Sequence, residues 1–481
     1  MPPDPEDINT ILFLGENMTN PLINSMRTGT ARTANGAVTH PTTLNPLVDL
    51  VGLIGASRGR DISSSFFRAV GNDPDAALKI LFYARDIRGG LGERNTFISL
   101  FSQLAQTNPN NIKHLVPLIP EYGRFKDLLS LFGTPLEYEA LCTIRNALNE
   151  RNGLCAKWMP RKGPSANKLR AFMGLTPRAY RKLLVGLTNV VETQMCDKEF
   201  SAIEYSKVPS VASARYQKAF GRNDPEGYST YLASIEKGEA TMKAGAVFPH
   251  DIIRSLAAGN ERAASAQWTQ LPDLFDGNDE NILCIMDSSG SMRSPVSGQI
   301  RAIHIAIGLA LYCSERSSGD FKDVFMTFST QPALQTVHGS LAQRARQLET
   351  ATWTMSTDLQ AAFRLLLGVA VRDNIAPEHM PSKILIVSDM EFNSACRGET
   401  NYQAINRQYR DAGYERPDIV FWNVRARQGN MPVQVQDNGT CIVSGFSPNI
   451  LKGILKGSVS PLGIVSDIVE NPRYGEIVWK S

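Results

Sequence analysis

Apolar and polar residues follow two different rhythms along this chain, and the change falls near residue 275. From about residue 44 to 275 the rhythm is helical. Phe97, Leu100, Phe101 and Leu104 keep the i, i+3, i+4, i+7 spacing of an amphipathic helix, and Phe125, Leu128, Leu129 and Phe132 repeat it. Gly89-Gly90, Asn108-Pro109, Gly133-Thr134-Pro135, Thr176-Pro177 and Asp224-Pro225 cut the pattern into short pieces. Residues 1–43 are rich in Asn, Thr, Pro and Gly with little apolar period, and read as an arm or a loosely packed lead-in.

A polar, turn-rich stretch from Leu271 to Asp279 marks the boundary. Beyond it come short continuous apolar runs: Ile282 to Met286, Val324 to Phe328, Ile384 to Val387, Ile419 to Trp422 and Cys441 to Val443. Runs of this kind suit strands buried on both faces. Helical periods lie between them, through Ile303, Ile307 and Leu311 and over 358–372 and 402–412. Strands alternating with helices predict a largely parallel sheet covered on both sides, a doubly wound α/β domain over about 280–455. Residues 456–481 are left as a C-terminal extension. In the first half, short helices that cannot each bury a face alone predict stacked pairs, HEAT-like repeats over 44–275.

Composition adds limits. A chain of 481 residues with 42% apolar and 20% charged residues is long enough for two or three folded domains. No apolar run approaches the roughly 18 to 20 residues of a membrane span. The acidic, proline-broken start is wrong for a signal or transit peptide, so a cytoplasmic or other reducing compartment and no membrane are expected. Seven scattered cysteines without a C-x-x-C pair, and six dispersed histidines, argue against a disulfide framework and a zinc site. Cys284 and Cys313 read as small apolar fillers.

The net charge of +3 says little, but its distribution says more. From Arg145 to Lys182 there are ten Lys or Arg (Arg145, Arg151, Lys157, Arg161, Lys162, Lys168, Arg170, Arg178, Arg181, Lys182) against the single acid Glu150. Such a stretch is either a solvated helical surface or a patch that binds phosphate backbones.

In an open parallel sheet, ligands gather at the carboxyl ends of the strands. Asp287-Ser288-Ser289-Gly290-Ser291 follows the first strand as D-x-S-x-S, with Gly290 expected to permit a tight turn. Ser356-Thr357-Asp358 precedes the helix 358–372, and Ser388-Asp389 follows the strand 384–387. Any one of these pieces could be only a helix cap. Together they offer carboxylate and hydroxyl oxygens, the hard donors that suit Mg²⁺ or Mn²⁺.

This constellation resembles the metal-ion-dependent adhesion site of von Willebrand A domains. The resemblance implies that Asp287, Ser289 and Ser291 form the first metal loop, Thr357 the second and Asp389 the third, with one coordination position open to an acidic partner. The third loop reads Ser-Asp-Met-Glu-Phe where Thr-Asp-Gly is more common, and Glu391 is expected at the surface. Ile384 to Phe392, Tyr409 to Tyr414, Ile419 to Asn423 and Val443 to Ser447 are similar to an uncharacterised family of plants, fungi, bacteria and large viruses. Tyr205 to Ala212 and Phe248-Pro249-His250 share that similarity, so it runs from about residue 44 to about 455. The helical half, through Ala84 to Arg94 and Ile119 to Leu129, resembles the TROVE module of the Ro ribonucleoprotein. In Ro, helical repeats close into a basic ring that binds small structured RNAs and the ends of misfolded RNAs.

These resemblances imply a non-enzymatic RNA-binding protein. Arg85, Arg88, Arg94, Arg124 and Lys126, with Arg161, Lys162, Lys168, Arg170, Arg178, Arg181 and Lys182, would grip phosphates. The A domain would dock a protein partner through its metal or hold the helical half closed. The alternative is a metal-dependent protein-interaction or assembly module without RNA. No nucleophile–base pair or paired catalytic carboxylates are apparent, and Gly89 to Arg94 lacks the Gly-Lys-Ser/Thr ending of a phosphate loop.

Overall fold

The computed structural model describes residues 31–58, 60–328, 331–351, 358–393, 400–425, 430–455 and 459–480. The residues before several prolines start the helices rather than merely ending the previous ones. Asn45 caps α1 (Pro46–Ile54), accepting the backbone N–H groups of Leu47 and Val48 at 2.9 and 3.2 Å. Asp73 caps α2 (Pro74–Arg85) in the same way through Ala76. A short polar side chain satisfies an orphan N–H there, and the proline at the first helical position has no N–H to lose. The helical half continues through α3 (Arg94–Thr107), α4 (Glu137–Asn149), α5 (Pro164–Phe172), α6 (Pro177–Leu187), α7 (Ser210–Asn223) and α8 (Pro249–Ala257). Thr176 caps α6. The second apolar repeat, around Phe125, forms a 3₁₀ helix, Phe125–Leu131, rather than an α-helix.

In the second half a six-stranded sheet holds β1 (Ile282–Asp287), β2 (Val324–Phe328), β3 (Ala333–Thr336), β4 (Lys383–Ser388), β5 (Asp418–Asn423) and β6 (Thr440–Ser444). Its order is β6-β5-β4-β1-β2-β3, parallel throughout except for the β2–β3 pair at one edge. Strands β1, β4 and β6 are buried at every residue, as their unbroken apolar runs require. Helices α9 (Ala302–Arg316), α10 (Leu359–Asp373) and α11 (Asn401–Asp411) join the strands. The exposed edge strand β3, half-buried at alternate residues, carried too weak an apolar signal to be predicted.

One apolar core runs through both halves, from Ala37 to Ile477, and a smaller cluster holds Tyr205, Phe220 and Tyr228. The first and the last described segments each reach across to the other half. Helix α1 packs on β6, where the Ser444 hydroxyl donates to Val51 O at 2.6 Å and accepts the Gly55 N–H at 2.9 Å. Residues 31–43, read from sequence as a loose arm, are anchored instead: Ala37, Thr39 and Thr43 are buried, and His40 exchanges backbone hydrogen bonds with Met431. At the other end, α12 (Gly463–Val469) packs against α2, Tyr122 donates to Arg473 O at 2.6 Å, and Arg473 pairs with the buried Asp86. Residues 463–474 thus pack on the helical half, while Val459 donates its N–H to Asp418 at the start of β5 at 3.0 Å.

The halves also meet where α8 lies against α9. A methyl group on Gly308 would stand 2.8 Å from the backbone N of His250 and 3.0 Å from the Pro249 carbonyl carbon. His250 is buried there, its ring 5.5 Å from that of Phe446, and burial pushes its pKa down to about 4, so it sits neutral in the joint. Gly308→Ala is expected to cost about 1–3 kcal/mol, the usual range for overpacking a closed contact. Urea denaturation measures it, and an unchanged midpoint would mean that α8 does not dock on α9.

Candidate functional site

The chain leaves β1 through α9 toward β2 on one side, and leaves β4 through α11 toward β5 on the other. Their connections diverge, so a crevice opens at the carboxyl ends of β1 and β4, the switch point where open α/β sheets bind ligands. Asp287 ends β1, Ser388 ends β4, and Asp389 follows it. All three are fully buried.

Within the crevice the Ser388 hydroxyl donates to Asp287 Oδ2 at 2.6 Å, and the Ser289 N–H donates to Asp287 Oδ1 at 2.9 Å. The Ser289 and Ser291 hydroxyls lie 2.9 Å apart, so the alternate serines do face one place. Burial, and then the neighbouring Asp389 carboxylate, push the Asp287 pKa up. The Arg425 guanidinium lies 3.9 Å from Asp389 Oδ2. Two carboxylates held together away from water carry a cost that a cation between them would offset. The donor set is all oxygen, and among the described residues no three His, Cys, Asp or Glu converge, so the hydroxyls would have to complete the coordination. These residues fit a small divalent cation.

Thr357 lies outside the described residues. Beside it, Asp358 caps α10 by accepting the Ala361 N–H at 3.0 Å, so the cap role that the sequence left open to Ser356 or Thr357 falls to Asp358. Gly290 does not use its conformational freedom: its φ is ordinary and a side chain there would meet open space. The left-handed position is instead Met390, with φ 65°, in the loop where glycine is more common. Glu391 is not at the surface. It is 2% exposed, and its carboxylate accepts the Ala34 N–H at 2.5 Å and the Asn430 amide at 2.7 Å. It fastens the N-terminal segment beside the crevice, helped by Thr33, whose hydroxyl donates to Phe392 O at 2.5 Å. Ser388 was visible as part of the third loop but not assigned; its bond to Asp287 depends on the register of β4 beside β1.

The basic residues divide into two groups. Arg85 is 2% exposed, with Nε and Nη2 donating to Asp127 at 2.8 and 2.6 Å. It is an internal ion pair and has no face for a phosphate, which corrects its expected role. Arg94 joins the same carboxylate at 2.6 Å but stays one-third exposed. Arg88, Arg124 and Lys126 are exposed, with the Arg124 guanidinium 5.0 Å above the Trp158 ring.

On α6, Tyr180 and Leu184 turn inward, while Arg178, Arg181 and Lys182 are exposed at i, i+3, i+4 spacing together with Val185. These three cations have no acidic partner among the described residues. Arg161 and Lys162 are exposed before α5, Lys168 pairs with Glu137 at 2.6 Å, and Arg170 is half-buried against Asn167. No helix among the described residues is long and apolar enough to cross a membrane.

Comparison with known proteins finds two families, each covering less than half of the chain. Residues 33–153 and 166–276 match a domain of unknown function, DUF2828, and residues 281–465 match another, DUF7788. The chain is 28% identical to the uncharacterized protein L728 of Acanthamoeba polyphaga mimivirus over 502 aligned positions, covering 91% of this chain and 87% of that one. Among solved structures it is similar to the Ro (RSR) protein of Deinococcus radiodurans, with 13% identity, a TM-score of 0.48, and coverage of 89% of this chain and 99% of that one.

Proposed function

We propose that this is a non-enzymatic RNA-binding protein with two working parts. Its helical repeats grip RNA phosphates. Its sheet half is a von Willebrand A-type domain whose divalent-cation site docks a partner or steadies the helical half. The observation that carries the first part is the outer face of α6, where Arg178, Arg181 and Lys182 stand exposed in a row without acidic partners among the described residues. Unneutralised cations in a line suit the regular negative charge of a nucleic-acid backbone. The exposed Val185, one turn on, offers apolar surface for a base to rest on.

In the second part, Asp287, Ser289, Ser291 and Asp389, with Thr357, would hold Mg²⁺ or Mn²⁺. Such an ion supplies a Lewis-acidic position that an incoming carboxylate can occupy. The residues themselves do the holding: Ser388 and the Ser289 N–H orient the Asp287 carboxylate, and the buried strand ends keep water from screening it. A second reading, a metal-dependent assembly module without RNA, draws on this crevice alone, because a switch-point site is complete without the basic helices.

Binding of single-stranded and structured RNA by the purified protein at two salt concentrations separates the readings. Affinity is expected to fall steeply with salt. Arg178→Glu, Arg181→Glu and Lys182→Glu together are expected to weaken binding at least tenfold. They should also lower the slope of log K against log salt by roughly 2, at about 0.7 per single-strand phosphate contact. Salt-insensitive binding, or binding untouched by the triple variant, removes the reading of α6 as the phosphate grip, and no binding of either RNA favours the second reading.

A further inference from the structure

An open cleft of about 410 Å³, lined by none of the residues singled out above for metal or RNA, lies between α7 and α8. Its lining is mixed in a particular way. Arg215 and Lys218 come from one face of α7, three residues apart and exposed, and Arg254 comes from α8. Neither Arg215 nor Lys218 has an acidic partner among the described residues. The cleft contains one carboxylate, Asp251, which stands 3.6 Å from Arg254 and 3.8 Å from His250. Three cations against one carboxylate leave the lining positive. Val211, Ala214, Val247 and Ala258 supply apolar surface, and Gln217, hydrogen-bonded to Ser255, supplies amide and hydroxyl groups.

We infer that this cleft binds a nucleotide, the phosphate held by Arg215, Lys218 and Arg254 and the base laid against the apolar wall. The volume is much larger than a bare phosphate needs and lies within the range of small-molecule sites. An acidic peptide would satisfy the cations but leave the apolar surface and the Gln217–Ser255 pair unused. A nucleotide uses all three features: charge for the phosphate, apolar contact for the base face, and amide and hydroxyl groups for the base edge. The nucleotide can be free or part of an RNA chain, and only in the latter form does the inference rest on the RNA reading above.

Calorimetric titration of the full chain with UMP, AMP, inorganic phosphate and a glutamate-rich peptide, and fluorescence anisotropy with a labelled oligouridylate, test this. Mononucleotide binding is expected, at least tenfold weaker in Arg215→Ala/Lys218→Ala and in Arg254→Ala, and unchanged in Lys237→Ala, an exposed cation outside the cleft. No mononucleotide binding, equal binding by wild type and double variant, or equal affinity for inorganic phosphate or the peptide would overturn the inference. If RNA still binds and responds to the α6 charge reversal in that case, the RNA reading stands without the cleft. If mononucleotides bind and the double variant loses them while no RNA binds, the cleft takes a free nucleotide and the RNA reading falls.

Discussion

Asp127→Ala is expected to cost the fold roughly 3 to 5 kcal/mol, the usual penalty for stranding a buried charge. Asp127 is 1% exposed and collects Arg85 Nε and Nη2, Arg94 Nε at 2.6 Å and the Arg124 N–H at 3.1 Å. The Arg94 side chain, one-third exposed, can turn to water when the carboxylate is lost. Arg85, 2% exposed, cannot. The neighbouring acid is a poor substitute: burial pushes the Glu93 pKa up to about 7 even though the Arg58 and Arg85 charges pull it down. Urea denaturation of the variant measures the loss. Arg85→Met added to Asp127→Ala is expected to recover much of it, because no unpaired charge then remains inside. A double variant as unstable as the single one would mean that Asp127 acts mainly through its other hydrogen bonds.

Asp287→Asn is expected to abolish the stabilisation of the protein by Mg²⁺ or Mn²⁺. In the wild type, an ion that binds only the folded chain adds roughly 2.7 kcal/mol at a hundredfold excess over its Kd. The variant keeps the shape of the side chain but offers one charge and one acceptor oxygen fewer: its Oδ1 can still accept the Ser289 N–H, while its amide has to donate to the Ser388 oxygen. In chelator the order is expected to reverse or close, since the wild type then buries the Asp287 carboxylate beside that of Asp389, whose charge pushes against it. Thermal melts with and without added metal, for both proteins, read this directly. A wild type whose melting temperature ignores both ions would remove the metal site. A variant that also loses RNA binding would tie the crevice to the integrity of the whole fold rather than to partner docking.

The local elements were legible because each depends on neighbours in sequence. An unbroken apolar run such as Ile384 to Val387 can satisfy both faces only as an interior strand, and β4 extends it by one residue at each end. The pairs Asn45-Pro46, Asp73-Pro74 and Thr176-Pro177 each carry their own cap and helix start. The oxygen-rich loops at Asp287 and Asp389 were equally plain, since a sheet of this type exposes its strand ends at one edge.

What the sequence by itself determined, then, is where the interior strands and the strongly periodic helices lie and which loops carry oxygen donors; the edge strand β3 and the 3₁₀ turn at Phe125 escaped it. Tertiary structure alone decided which charges face water. Arg85 and Arg88 stand three residues apart with the same chemistry. One is buried against a carboxylate 42 positions away and the other is exposed, because only packing sets the partner. Glu391 likewise looked like surface until the N-terminal segment, some 357 residues earlier, supplied the Ala34 N–H that permits its burial. Burying a charge is favourable only when a partner arrives to compensate it, and long-range partners leave no local trace in the order of residues.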